Sequence, residues 1–270
     1  MSLRIGLVGC GAIGRVIAIA MDRTEDIEAI FLFDRSEEQA RALAARLDKA
    51  VHMTSVDALI SKSELVIEAA SQEACKEVAP KVLWAGRDLM VMSVGAFADD
   101  AFNDHVRALA RDKGVKVYIP NGALAGVDGV RCAAEGRIDE VLLETRKPPA
   151  GFRGSEAVAR MGVDLDSLKE ERVLYDGPAR RACIEFPQNV NVAAALSMAG
   201  LGFDGTRVRI IADPRVTTNQ HTVTLKGSFG EMRAWVSNFP SPDNAKTSYL
   251  AALSAISLVR KIAGPVWVGG

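Results

Sequence analysis

The sequence predicts an α/β protein: a parallel sheet covered by helices on both faces, followed by an α+β unit. Three observations carry this. Over the first 120 residues, short β-rich runs alternate with longer amphipathic ones, the pattern of strands joined by crossover helices. A glycine-rich turn, Gly9-Cys10-Gly11-Ala12-Ile13-Gly14, joins the first apolar run to the first helical one. After Pro120 the rhythm changes, and the later strand candidates mostly alternate in polarity, as in a sheet with one wet face.

The strands of the first part fall approximately at Arg4 to Val8, Ile27 to Asp34, Ala50 to Met53, Leu65 to Ala69, Leu89 to Ser93 and Val115 to Ile119. Between them, Ala12 to Met21 is helix-compatible. Ser36-Glu37-Glu38-Gln39 is a capping-box start for a helix through Leu47, Ser71 caps a helix towards Trp84, and Asp99 or Asp100 starts one ending near Gly114. From Asn121 the chain is glycine-rich and helix-like. Strand candidates follow at Glu140 to Arg146, Arg172 to Tyr175, Val208 to Asp213, His221 to Lys226 and Glu231 to Ser237. A helical pattern from Lys246 to Ile262 closes the chain. The expected organisation is a dinucleotide-binding domain over residues 1–120 and an α+β catalytic and dimerisation domain over 121–244, with a last helix at 245–262 packing back on the first.

Composition narrows the partners. The chain has 33 basic and 34 acidic residues, net −1, so no electrostatic footprint points to nucleic acid or an anionic membrane. Cys10, Cys75, Cys132 and Cys183 are scattered, form no C-x-x-C pair and have no histidine cluster beside them, which argues against a metal centre or a disulfide framework. No apolar run reaches transmembrane length and no signal-peptide pattern opens the chain, so the expectation is a cytoplasmic protein acting on a small molecule.

The glycine turn names a cofactor class. In a dinucleotide-binding βαβ unit, the Rossmann arrangement, the first glycine (Gly9) makes the tight turn and the second (Gly11) lets the backbone approach a pyrophosphate. The third (Gly14) allows close helix–strand packing, and Ala12 and Ile13 open the helix whose N–H groups meet the phosphates. Asp34, about 20 residues further on, ends the second strand, where an acid hydrogen-bonds the adenosine ribose. Segments Gly9 to Gly14, Asp34 to Ser36, Ala69 to Gln72 and Ser93 to Ala96 all leave carboxyl ends of strands and should line one crevice, with Ala70, Ser71, Val94 and Gly95 as cofactor contacts. Asp34 opposes a 2′-phosphate, whereas Arg35 and Ser36 could grip one, so NAD is expected with NADP tolerated.

With these segments in view, the chain resembles the L-aspartate dehydrogenases over nearly its whole length. The residues that carry the resemblance are Val8 to Gly14, Ser93-Val94-Gly95-Ala96, Asn121 to Asp128, Arg146-Lys147-Pro148, Phe186 to Ala194, Ala212-Asp213-Pro214 and Asn219-Gln220-His221. Asn121 departs from the serine expected there. The resemblance implies a Rossmann domain plus a catalytic α+β domain that oxidises L-aspartate to iminoaspartate with NAD or NADP. It places the active-site histidine at His221 and two further cofactor contacts at Ala123 and Asn191.

Chemistry read from the residues is compatible with this. Forming an imine requires a neutral amine and therefore a proton acceptor. Histidine titrates in the right range, and the chain offers only His52, His105 and His221. His52 falls in an edge strand and His105 on a helix of the cofactor domain, which leaves His221, unless it is a satisfied structural histidine. A dicarboxylate needs cations or donors: Arg146, Lys147, Lys246, Thr247 and Asn189 are the candidates, each equally readable as solvated surface or helix cap. Two other readings stay open, a cyclic-imine or sugar reductase and a non-enzymatic dinucleotide sensor. Sugar oxidoreductases of this two-domain type carry Glu-Lys-Pro where this chain has Val94-Gly95-Ala96. Exposed strand edges suggest a homodimer.

Overall fold

The computed structural model of the chain describes residues 2–187, 190–241 and 244–269, the last stretch without the side chains of residues 244–246. Two compact units emerge: Met1–Pro120 with Ala252–Val268, and Asn121–Ala251 with Gly269–Gly270.

In the first unit, β1 (Leu3–Val8), β2 (Ile27–Phe33), β3 (Ala50–His52), β4 (Leu65–Glu68), β5 (Asp88–Val91) and β6 (Val117–Tyr118) form one parallel sheet in the order β3-β2-β1-β4-β5-β6. The order reverses between β1 and β4, and such a sheet binds its ligand beyond the carboxyl ends of the strands at that point. Both faces are covered, so the strands are near-continuous apolar runs; all four residues of β4 are buried, Glu68 included. Helices α1 (Ala12–Asp22), α2 (Glu37–Ala44), α3 (Val56–Lys62), α4 (Gln72–Trp84) and α5 (Asp100–Lys113) make the crossovers. Ser36, Ser55, Ser71 and Asp99 accept N–H bonds at the starts of α2 to α5, and α5 stops at Gly114, which takes the left-handed φ of 66°. The α3 helix has seven residues, too few for the period to show in the sequence.

The second unit contains α6 (Val127–Ala134), β7 (Ile138–Lys147), α7 (Glu156–Arg160), β8 (Arg172–Pro178), α8 (Ala179–Glu185), α9 (Asn191–Ala199), α10 (Gly202–Gly205), β9 (Thr206–Ala212), β10 (Asn219–Gly227), β11 (Gly230–Asn238) and the short pair β12 (Pro240–Ser241) and β13 (Asn244–Ser248). Its main sheet is mixed, ordered β11-β10-β7-β9-β8, with β7 and β9 parallel and the other pairs antiparallel. Val141, Leu143, Val208, Ile210, Val223 and Leu225 alternate onto one buried face, while the other carries Glu144, Arg146, Arg209 and Trp235.

The closing helix α11 (Tyr249–Ala263) starts three residues later than the expected Lys246. Residues Asn244–Ser248 pair with β12 instead, and the Tyr249 N–H is held by the Phe239 carbonyl at 3.1 Å. Antiparallel pairing with the strand just before it thus overrides a helical pattern. Ala255, Ile256 and Val259 of α11 lie in the hydrophobic core of the first unit beside Ile5, Leu7, Ile30 and Leu32.

Candidate active site

In the first unit the glycine turn is built as the sequence reading expects. Gly9 has φ 100°, and a Cβ there would sit 2.7 Å from the Ala69 carbonyl carbon; a Cβ on Gly14 would come within 1.9 Å of the Gly9 oxygen. Neither position tolerates a side chain. A Cβ on Gly11 would meet nothing within 4 Å, so its hydrogen leaves open space at the start of α1. Unlike α2 to α5, α1 has no side-chain cap and no acidic residue in its first turn. The backbone dipoles there stand uncompensated, as an anion-binding helix start requires.

Asp34 steadies this loop: one carboxylate oxygen accepts the Cys10 N–H at 2.7 Å and the other the Ser36 N–H at 2.8 Å. Each oxygen keeps a further lone pair for a ribose hydroxyl. Arg35 beside it is exposed. Ala70 and Ser71 follow β4, and Val94 and Gly95 follow β5; a Cβ on Gly95 would strike the Gln72 side chain at 2.4 Å, so these two loops are in contact. The sequence reading missed Glu68, whose buried carboxylate binds both loops. The residues present therefore fit a dinucleotide.

In the second unit, β10 lies antiparallel to β7 with His221 opposite Thr145. Both are buried, and Thr145 Oγ1 lies 3.0 Å from His221 Nδ1. Lys147, two residues along β7, therefore shares their face and is only 4% exposed. Burial pulls the His221 imidazole, 2% exposed, down to about 3, with the nearby Lys147 ammonium pushing the same way. Burial alone lowers Lys147 to about 8. Asn219, on the same strand face, is fully buried; its Nδ2 donates to Ser248 Oγ at 3.2 Å, while its Oδ1 has no partner among the described residues. Neither Thr145 nor Asn219 was singled out from the sequence for a role of its own, although Asn219 sits two residues before His221.

Arg146 goes elsewhere. It occupies the opposite sheet face, bonded to Asp213 at 2.6 Å, to Glu144 at 3.3 Å and to Glu171. Strand alternation thus brings Lys147 to His221 and carries its neighbour away. Ala123 is buried, its carbonyl accepting from Asn238 Nδ2 at 3.0 Å. Asn191 opens α9 and is exposed, and the neighbouring Val192 lies 3.5 Å from where a Gly122 Cβ would be, so the turn holding Ala123 and the start of α9 adjoin. Thr247 is half-buried in β13, and Lys246 lies in the same strand with its side chain outside the description. Asn189 lies outside the described residues. His52 is half-buried in β3, and His105 is exposed on α5. Among the described residues there is no group of three or more His, Cys, Asp or Glu placed to hold a metal ion, and no helix long and apolar enough to cross a membrane.

The chain is similar to known proteins along its length. Residues 9–120 match the family model described as homoserine dehydrogenase, NAD binding domain, and residues 128–262 the model described as aspartate dehydrogenase, C-terminal. An L-aspartate dehydrogenase of Methanosarcina acetivorans is 47% identical over 99% of both chains, and one of Methanococcus maripaludis 40% identical over the same shares. The crystal structure of aspartate dehydrogenase from Thermotoga maritima superposes with a TM-score of 0.78 over 100% of both chains at 24% identity, a likeness of fold. A homoserine dehydrogenase from Thiobacillus denitrificans is more distant, with a TM-score of 0.64 and 14% identity over 97% of this chain and 73% of that one. With relatives this similar along its whole length, the chain belongs to the L-aspartate dehydrogenase family.

Proposed function

We propose that the chain oxidises L-aspartate to iminoaspartate with NAD as preferred cofactor and NADP tolerated, the imine then hydrolysing to oxaloacetate and ammonia or passing on towards quinolinate. The observation that carries this reading is a buried, neutral His221 sharing one sheet face with the cation Lys147 in a chain of this family. The bound nicotinamide supplies the hydride acceptor. Gly9, Gly11, Ala12, Ile13 and Gly14 cradle the pyrophosphate and Asp34 takes the ribose hydroxyls with Arg35 at its flank. Ala70, Ser71, Val94, Gly95, Ala123 and Asn191 hold the remainder.

His221 takes the proton that the substrate nitrogen must lose. For Nε2 to offer its lone pair, Nδ1 must carry the hydrogen and donate it to Thr145 Oγ1, so Thr145 sets the tautomer. At a value of about 3 the substrate-free imidazole is a weak base. A dicarboxylate bound beside Lys147 brings negative charge to the same face and raises both groups, so substrate binding itself restores the basicity of His221. Lys147 is the favoured carboxylate partner; Arg146, with three carboxylates already bound, has little left to offer. Asn189, Lys246 and Thr247 complete the candidate set.

We also infer a homodimer, supported by the open sheet face on which Trp235 is 60% exposed, and a cytoplasmic setting, supported by the reduced cysteines. The test is nicotinamide absorbance with purified protein, NAD or NADP, and L-aspartate beside D-aspartate, L-glutamate, L-alanine and L-homoserine. Reduction confined to L-aspartate is expected. Cofactor binding without turnover of any of the five would refute the activity and leave an imine or sugar reductase, or a sensor.

A further inference from the structure

The cofactor unit contains a carboxylate that none of these roles uses. Glu68, the last residue of β4, is fully buried, with 0% exposure. Its Oε1 accepts the Ala70 N–H at 2.8 Å and the Ser93 hydroxyl at 2.9 Å, and its Oε2 accepts the Ser93 N–H at 3.1 Å. One side chain therefore ties the loop leaving β4 to the loop leaving β5. These are the loops that carry Ala70, Ser71, Val94 and Gly95, and Gly95 has no Cβ where Gln72 packs against it.

A hydrocarbon side chain would fill this space more cheaply, because burying a carboxylate costs several kcal/mol in principle unless hydrogen bonds offset it. Burial does push Glu68 upward, but two of these three donors are backbone N–H groups, which can only donate and so favour the ionised form. No Lys, Arg or His among the described residues is bonded to it. Ionised, the form these donors favour, Glu68 is a negative charge held beneath two ligand-facing loops at the carboxyl edge of the sheet. An oxidised nicotinamide carries a positive charge that the reduced ring lacks.

We propose that Glu68 is a positioning residue for the cofactor, clasping the two loops into their binding shape and favouring the oxidised, cationic nicotinamide over the reduced one. This rests on the assignment of those loops to the cofactor. The test is Glu68→Gln, which keeps shape and removes charge, with Kd for NAD and for NADH measured by fluorescence or calorimetry on the folded protein, and KM for L-aspartate at saturating NAD. NAD should weaken about tenfold or more, NADH clearly less, and the KM for L-aspartate should hold. A role confined to stability would lower the melting temperature and leave the NAD-to-NADH ratio of Kd where it was. Equal weakening of both cofactors, or none, overturns the proposal. Failure of the unaltered protein to bind either cofactor overturns the cofactor assignment itself. Should Glu68→Gln not fold, Ser93→Ala removes one donor and keeps the charge: a several-fold weaker NAD supports the clasp, and an unchanged Kd overturns it.

Discussion

The neutrality of His221 has a thermodynamic signature that an acid titration exposes. The imidazole stands at about 3 in the folded chain against 6.5 in the unfolded one, held down first by burial and then by Lys147. Between those values the unfolded chain binds more protons than the folded one, so stability rises with pH there and is lost as the pH falls from about 6.5 towards 3. Each pH unit inside that window is worth about 1.4 kcal/mol, so by about pH 4 this one histidine costs on the order of 3 kcal/mol relative to neutral pH. That is a large share of a typical domain's stability of about 5–15 kcal/mol. The assay is urea unfolding at a series of pH values, comparing the parent with His221→Asn, whose amide nitrogen replaces Nδ1 beside Thr145. Other groups titrate in the same range. Asp213 is held at about 2 by its bonds to Arg215 and Arg146 and destabilises as it protonates, whereas Glu68 is raised and contributes with the opposite sign. Both occur in parent and variant alike and cancel in the difference. The parent should lose the extra stability on acidification and the variant should not. Parallel curves from about pH 6.5 to 4 would mean that His221 is solvated and charged, and the proton-transfer reading would lose its basis.

Lys147 and Asp34 give two sharper kinetic expectations. Lys147 is lowered to about 8 by burial and is charged below that value; kcat/KM for L-aspartate should therefore fall as the pH rises past about 8, and Lys147→Arg should remove that falling limb if it retains activity. A limb that persists in the arginine variant would assign the loss to another group. Asp34→Ala removes the acceptor of the Cys10 N–H and, with it, the proposed ribose acceptor, so NAD should weaken about ten- to a hundred-fold, with NADP losing less because the repulsion of its phosphate disappears as well. Equal loss in titrations of both cofactors would reduce Asp34 to a loop brace.

How much could be read in advance depended on how local each signal was. The parallel strands from β1 to β5 lie close to where their apolar runs suggested, because burial on both faces leaves a continuous signature. The glycine turn was legible for the same reason: strand, turn and helix are contiguous, and Gly9, Gly11 and Gly14 each meet a constraint within one βαβ unit. The second unit was harder. Arg146 and Lys147 looked equivalent, both basic and both near the end of one strand. They are separated by the pairing of Thr145 with His221 across 76 residues of sequence, which fixes which of the two shares the histidine's face. A one-residue change of register would exchange them. Glu68 was invisible for a related reason. A glutamate ending an apolar run reads as the solvated end of a strand, and only the fold shows donors from two loops converging on it.

The costs left in the structure separate what the fold needs from what a ligand needs. Four helices of the cofactor unit spend a serine or an aspartate on their first turn, yet α1, between the glycines, has none. A cap typically contributes about 1 kcal/mol, so its absence at one helix of five, where Gly11 also opens a space, is a deficit that an anion at that helix start would remove. The second unit has the counterpart. Asn219 is buried on the strand face that carries His221 with its Oδ1 unpartnered among the described residues, and an unmet acceptor of that kind costs roughly 1–3 kcal/mol. Lys147 adds the desolvation of an ammonium on the same face. A chain selected for stability alone would have replaced these groups with apolar residues of similar volume. Lys147 and Asn219 instead remain on the histidine's own face, which fits the proposal that a charged, hydrogen-bonding substrate binds there.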